Sequence, residues 1–294
     1  MLRTRLWMGT LLIGLAVLLL LEDRWFAPWY PVLLVCYLGA SLAATREFLD
    51  LLPEAVRPAE ALTLGFVCVL VGFNWWSAFL MTRDAPPGLG TWDLIGACVL
   101  VGTGAAFVYE MWRFRGPDRI TERIALTAFV LIYLGVLPSF LAQIRWLPRI
   151  DTTAALALTV FVPKGNDIGA YFVGKFLTGR LLGRHHMTPL LSPNKTWQGA
   201  VGGMVASVTV AVGINAAWPV VPGGWAGAVG FGLTVGTAGV LGDLAESLLK
   251  RDLQTKDASA SVPGFGGVLD VIDSLLFAAP IAYLWFWWAA RQAV

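Results

Sequence analysis

The sequence predicts an all-α polytopic membrane protein with about nine transmembrane helices. Three observations point there. Of 294 residues, 57% are hydrophobic and 14% are charged, and the mean hydropathy is +0.70; a soluble domain carries about 25% charged residues. The apolar residues fall in long runs of about 20, the length a helix needs to cross hydrocarbon. Many of the fourteen Trp sit near the ends of those runs, as interfacial anchors do.

The first run, Leu6–Leu21, follows Arg3 and Arg5 and lacks a small-residue cleavage site before Glu22. It therefore reads as a span and not as a removable signal. Further runs near 25–44, 60–80, 92–109 and 124–144 give four more spans. The sixth, near 151–173, contains Lys164-Gly-Asn-Asp167. Charges, an amide and a glycine inside an apolar run predict a broken helix or one that faces a polar cavity. Lys164 and Asp167 lie three apart and could equally neutralise one another. The seventh span, near 198–217, follows Ser192-Pro-Asn, a turn signal. Thr196 is placed to cap it, and Lys195 sits at its start, where phosphate binds well. Gly199 and Gly203 permit close helix contact. Runs near 225–242 and 268–288 complete the count. Residues 1–150 form an N-terminal set of helices without a recognised motif. Residues 151–294 form the motif-bearing region of the same integral unit.

Charge asymmetry sets the expected orientation. With the N-terminus in the cytoplasm, the inside segments hold Arg3, Arg5, Arg46, Arg57, Arg113, Arg115, Arg119, Arg123, Lys175, Arg180, Arg184, Lys195, Lys250, Arg251 and Lys256. The outside segments hold only Arg24, Arg83, Arg145, Arg149 and Arg291, as the positive-inside rule requires. Cys36, Cys68 and Cys98 lie in apolar runs and read as small packing residues. His185 and His186 are adjacent in a basic stretch and read as solvated loop residues.

The chemistry concentrates between Gly242 and Ser274. Read as a helix, residues 243–251 put Asp243, Glu246, Ser247 and Lys250 on one face. A polar glycine-rich loop, Ser261–Gly267, leads into a new apolar helix with Asp270 and Asp273 on its first turns. Carboxylates from two elements suit Mg²⁺, which takes one or two of them and completes its shell with water and phosphate. Lys250, Arg251 and Lys256 can face phosphates, and the helix start after the glycine loop favours an anion. The alternative is a set of solvated interfacial charges flanking two spans. Unaided, the spacing supports an anion plus a divalent cation at a membrane surface.

The same stretch resembles the signature of the phosphatidate cytidylyltransferases (CDP-diacylglycerol synthases). It reads Ser247-Leu-Leu-Lys250-Arg251, four residues, Lys256-Asp257, then Pro263-Gly-Phe265-Gly-Gly267 and Asp270-Val271-Ile-Asp273. Phe265 and Val271 depart from the family's His and Arg. Asp167-x-x-Ala170-Tyr171-x-x-Gly174 and Ser192-Pro-x-Lys195-Thr196-Trp197-x-Gly199 resemble two further motifs of that family. The three together cover about residues 164–274 in the expected order.

The resemblance implies a nine-span, often dimeric fold and the reaction of phosphatidate with CTP to give CDP-diacylglycerol and pyrophosphate. It implies Mg²⁺ on Asp243, Asp270 and Asp273, with Glu246 as a weaker ligand. A second, monovalent cation beside Mg²⁺ is left open. Asp243, Lys250, Asp270 and Asp273 form the catalytic set. Lys195, Lys250, Arg251 and Lys256 face phosphates, Ser192 and Thr196 shape the turn of Lys195, and Asp167 and Ser247 complete the substrate site. The expected partners are CTP, phosphatidate, membrane lipids and a second copy of the chain, with no nucleic acid. The expected place is the plasma (inner) membrane, with N-terminus and active site cytoplasmic. Two other readings are a CTP-dependent lipid kinase and a non-catalytic lipid-binding or transport protein on this scaffold. A CDP-alcohol phosphotransferase is disfavoured, because no Asp-Gly-x-x-Ala-Arg occurs and Asp270 and Asp273 are three apart.

Overall fold

The computed structural model describes residues 2–82, 88–177, 183 and 185–292. Arg83, Arg180 and Arg184, counted in the charge asymmetry, lie outside the described residues. The chain is an all-α membrane protein. Seven described segments are helical, long and apolar enough to cross a membrane: Pro31–Leu51, Glu60–Met81, Thr91–Arg113, Ile120–Trp146, Trp197–Ala217, Gly224–Asp252 and Val268–Gln292. The other two expected spans are also helices, Leu2–Asp23 and Thr152–Phe176. The latter misses the apolar criterion, as the polar Lys164–Asp167 segment within it explains. Nine described helical segments correspond to the expected spans, but only seven of them are long and apolar enough to cross a membrane, so the count of nine is not exact.

The packing defines two units. The first comprises residues 1–146 and 257–271. Its helices are α1 (Leu2–Asp23), α2 (Pro31–Leu51), α3 (Glu60–Asn74), α4 (Trp76–Met81), α5 (Thr91–Arg113), α6 (Ile120–Val130) and α7 (Leu137–Gln143). Pro31 opens α2, where a missing N–H costs nothing, and the helix runs seven residues past the expected end at 44. Between α6 and α7 the chain takes a π-helical turn, Leu131–Val136, just before Pro138. Proline cannot donate to the ladder, and the wider turn accommodates the loss.

Phe48, Leu49, Leu70, Ile95, Leu131 and Leu134 are fully buried in this unit. A polar chain runs through it. The Asn74 amide donates to Ser139 Oγ at 2.9 Å, Gln143 Nε2 donates to the Asn74 carbonyl at 2.9 Å, and Ser77 Oγ donates to Gln143 Oε1 at 2.9 Å. Buried polar groups joined in this way fix how the helices register against one another. At another end, Arg123 bridges Glu110 and Asp118, each at 2.8 Å. Its guanidinium holds the Asp118 carboxyl below the usual carboxylate range.

The second unit comprises residues 147–256 and 272–294. It contains α8 (Thr152–Phe176), the strands β1 (His186–Thr188) and β2 (Ser192–Thr196), α9 (Trp197–Ala217), α10 (Gly224–Asp252) and most of α11 (Val268–Gln292). The Asp151 carboxylate caps α8 by accepting from the N–H groups of Thr153 and Ala154. The strands pair antiparallel, with His186 opposite Thr196 and Thr188 opposite Ser192. Ser192-Pro-Asn is therefore strand and not the expected turn; the turn falls at Pro189–Leu191, just ahead of it. Of the two expectations for this stretch, a broken helix or one that faces a polar cavity, the break is not seen: α8 is continuous through Pro163 and the Lys164–Asp167 segment. Close neighbours explain this. A side chain at Gly239 of α10 would come within 2.8 Å of the Pro163 ring, and one at Gly203 of α9 within 2.5 Å of the Asn166 side chain. The missing side chains let α9 and α10 press against the irregular face of α8.

Candidate active site

In the second unit, α8, β2, α10 and α11 bring charges together. The helical period of α10 aligns Asp243, Glu246 and Lys250 as expected. The carboxylates of Asp243, Glu246 and Asp273 each offer an oxygen within 4.8 Å of the others. Lys195, at the end of β2, reaches Asp243 Oδ2 at 2.7 Å. Thr196 accepts from the Gly199 N–H and starts α9 there, which fixes the backbone next to Lys195. Lys164 donates to Ser274 Oγ at 2.7 Å and lies 3.4 Å from Asp167 and 3.8 Å from Asp273. So Lys164 and Asp167 do pair, within a wider network. Glu246 holds Lys250 at 2.6 Å, with their side chains 1% and 11% exposed.

Four carboxylates thus crowd against three ammonium groups in largely buried surroundings. Like charges at this spacing repel, and a cation relieves them. The donors are hard oxygens from two helices, the type Mg²⁺ prefers, and opposite ligands at bonds of about 2.1 Å lie about 4.2 Å apart. The donor type fits a divalent ion on Asp243, Glu246 and Asp273, whose oxygens lie within 4.8 Å of one another. Glu246, expected as a weaker ligand, is the most buried of the three.

The remaining expected residues are placed less centrally. Ser192 is half-buried in β2, and Ser247 is half-buried on α10. Arg251 Nε donates to the Leu191 carbonyl at 3.2 Å, which ties α10 to the hairpin turn. Lys256 is exposed. His185 and His186 are exposed, with His186 Nδ1 2.6 Å from the Pro193 carbonyl oxygen.

The glycine loop and Asp270 belong to the first unit. Gly264 and Gly266 take left-handed backbone, φ 85° and 101°, which only glycine adopts at no cost. Val262 N–H donates to the Gly266 carbonyl at 2.7 Å and closes the turn. Asp270 Oδ2 accepts from the N–H groups of Gly267 and Ala258, at 2.6 and 3.0 Å. The expected anion site at the start of α11 is already held by a side chain that the sequence reading passed over. Glu47, near the end of α2, accepts from Val268 N–H at 3.0 Å and Leu269 N–H at 2.9 Å. It also accepts from the Ser259 and Ser261 hydroxyls. A carboxylate just past an apolar run was the available signal. Ending that span at residue 44 put Glu47 outside it.

A model of the cytidylyltransferase family matches residues 2–289. The phosphatidate cytidylyltransferase of Brucella melitensis is 45% identical over 118 residues, 40% of this chain and 41% of that protein. Phosphatidate cytidylyltransferase 5, chloroplastic, of Arabidopsis thaliana is 33% identical over 204 residues, 62% of this chain and 49% of that protein. The phosphatidate cytidylyltransferase of Mycobacterium bovis is 29% identical over 294 residues, 94% of this chain and 87% of that protein. The matched region thus spans less than half of the Brucella and Arabidopsis relatives and most of the mycobacterial one.

Proposed function

The chain belongs to the cytidylyltransferase family, and on that premise we propose that it is a phosphatidate cytidylyltransferase, making CDP-diacylglycerol and pyrophosphate from phosphatidate and CTP. The observation that carries the reading is the cluster of Asp243, Glu246 and Asp273 bordered by Lys164, Lys195 and Lys250. With Asp167 paired to Lys164, it draws residues from all three motif stretches into one place.

The reaction joins a phosphate oxygen of phosphatidate to the α-phosphorus of CTP. The bond from that phosphorus to the oxygen bridging to the β-phosphate breaks, and pyrophosphate leaves with the electron pair. The attacking oxygen is already ionised at neutral pH, so no base has to remove a proton. The difficulty is bringing two anions together, which is a matter of charge and position. Lys195 is the reading's triphosphate contact, held in reach by β2 and Asp243. Lys164 and Lys250 offset the carboxylates and keep the site close to neutral before substrate arrives. Arg251 and Lys256 receive the outer phosphates.

Asp243, Glu246 and Asp273 are the residues to hold Mg²⁺, and the motif resemblance adds Asp270. The bound ion supplies neutralisation of the triphosphate and its orientation for in-line attack. The acyl chains stay in the bilayer, with the site facing the cytoplasm of the plasma (inner) membrane, as the charge asymmetry favours. A homodimer and a monovalent cation beside the Mg²⁺ rest on the resemblance alone.

The test is pyrophosphate release by purified protein in detergent. The expected result is release that requires both CTP and phosphatidate together and falls by about two to three orders of magnitude in Asp243→Asn. Release without phosphatidate, or no release at all, would remove the proposal.

A further inference from the structure

We propose that Glu47 is a positioning residue of the active site: it completes the cap of α11 from α2 and locks the glycine loop in place. The inference rests on the cytidylyltransferase reading for what is being positioned, and on geometry for how.

The first four N–H groups of a helix have no partner inside it. A local cap normally supplies one from the residue before the helix, and here that residue is Gly267, which has no side chain. Asp270, three residues on, reaches back to the Gly267 N–H at 2.6 Å. That is the returning half of a capping box. The forward half comes from Glu47, which takes the Val268 and Leu269 N–H groups. A carboxylate is well suited to the positive end of the helix dipole. The same side chain receives the Ser259 and Ser261 hydroxyls, so it grips the loop before the helix as well.

Glu47 lies about 220 residues away in sequence from the helix it caps, and it is 9% exposed. Gly267 is fitted to it: a side chain there would start 2.5 Å from the Glu47 carboxylate. The loop needs such an anchor. It is rich in glycine and serine, two of its glycines have left-handed backbone, and such segments lose much chain entropy on ordering. With Glu47 removed, the turn that carries Asp270 loses the partners of two backbone donors. Misplacement of a reacting group by about 1 Å costs about a hundredfold in rate.

The experiment compares full-length wild type, Glu47→Ala, Glu47→Gln and a Ser259→Ala/Ser261→Ala double variant. It reads amide hydrogen exchange across 258–269, thermal stability, and steady-state kinetics with CTP and phosphatidate. Glu47→Ala should speed exchange at Val268 and Leu269 by about tenfold, the factor for losing one charge-assisted hydrogen bond. Its kcat should fall about a hundredfold with KM for CTP little changed. Glu47→Gln keeps one carbonyl acceptor and should fall between wild type and Glu47→Ala in both readouts, even if Glu47→Ala does not fold. The serine double variant should loosen 259–262 while leaving Val268 and Leu269 protected. Unchanged exchange in the Glu47 variants overturns the clamp, whatever happens to activity. Faster exchange with unchanged kcat overturns the positioning role. Wild type that does not turn over at all would remove the cytidylyltransferase reading, while exchange still decides the clamp.

Discussion

Replacing Glu246 by Gln should destabilise the protein more than it disturbs any surface contact, and the structure sets the size. Glu246 and Lys250 are one turn apart on α10, 2.6 Å from nitrogen to oxygen, with side chains 1% and 11% exposed. Little water reaches either. Removing one partner of a buried pair costs about 3–5 kcal/mol, because the other charge stays buried. The small exposure of Lys250 favours the lower end. A loss of about 3 kcal/mol corresponds to a fall of about 6–12 °C in Tm for a chain of this order of size. Lys250→Met should cost a similar amount, since it strands the carboxylate instead. The double variant Glu246→Gln/Lys250→Met removes both charges and should recover most of the loss, because uncharged residues of similar volume replace buried pairs at little cost. The assay is thermal unfolding in one detergent, followed by tryptophan fluorescence and monodisperse recovery, beside turnover with CTP and phosphatidate. The double variant should be stable yet inactive, since Glu246 belongs to the candidate metal site and Lys250 borders it. Glu246→Gln as stable as wild type, or a double variant less stable than either single one, would refute the pairing argument.

Other outcomes follow from the same geometry. Asp243→Asn, Asp273→Asn and Asp270→Asn should each lower turnover by about two to three orders of magnitude, the cost of losing one preorganised charge-stabilising group. Membrane insertion should be intact, and insertion and turnover are measured on the same preparations. Lys256→Cys should be labelled by a membrane-impermeant thiol reagent only from the cytoplasmic side, and Ala217→Cys only from the other, against a background without the three native cysteines; the reverse pattern would overturn the orientation. Phe265→His with Val271→Arg, restoring the family residues, should change the rate by less than about tenfold, or about 1.4 kcal/mol in barrier. An ionised nucleophile gives a histidine no proton to remove. Phe265 is exposed, with its ring beside α1, where a side chain added at Gly9 would lie 3.6 Å from it. A wild type that is active only after both replacements would contradict this.

Local periodicity made part of the site legible. The helical spacing of Asp243, Glu246 and Lys250 predicted a shared face, and α10 presents them so. The carboxylate pair Asp270 and Asp273 was legible as a motif, but the bonding of Asp270 to Gly267 and Ala258 was not. What lay beyond reach were partners fixed by tertiary packing. Lys195 and Asp243 are 48 residues apart, and no local rule joins them. The Lys164–Asp167 segment looked like a helix break because polar residues and glycine interrupt an apolar run. It stays helical because glycines on α9 and α10 leave room for Pro163 and Asn166. Glu47 was missed for a related reason. Hydropathy stops where charge begins, so the last turns of α2 looked like a loop. The strands Ser192–Thr196 and His186–Thr188 escaped notice because five and three residues are too few for a period to show.

The central claim is that a cytidylyl group, not a terminal phosphate, moves to the lipid. Parallel reactions of purified protein with CTP labelled at the α- or the γ-phosphorus, each with phosphatidate and Mg²⁺, test it most directly. The account predicts α-label in a lipid product and γ-label in pyrophosphate. Label from the γ-phosphorus in the lipid would contradict it and identify a kinase, and no lipid label from either would leave a lipid-binding protein.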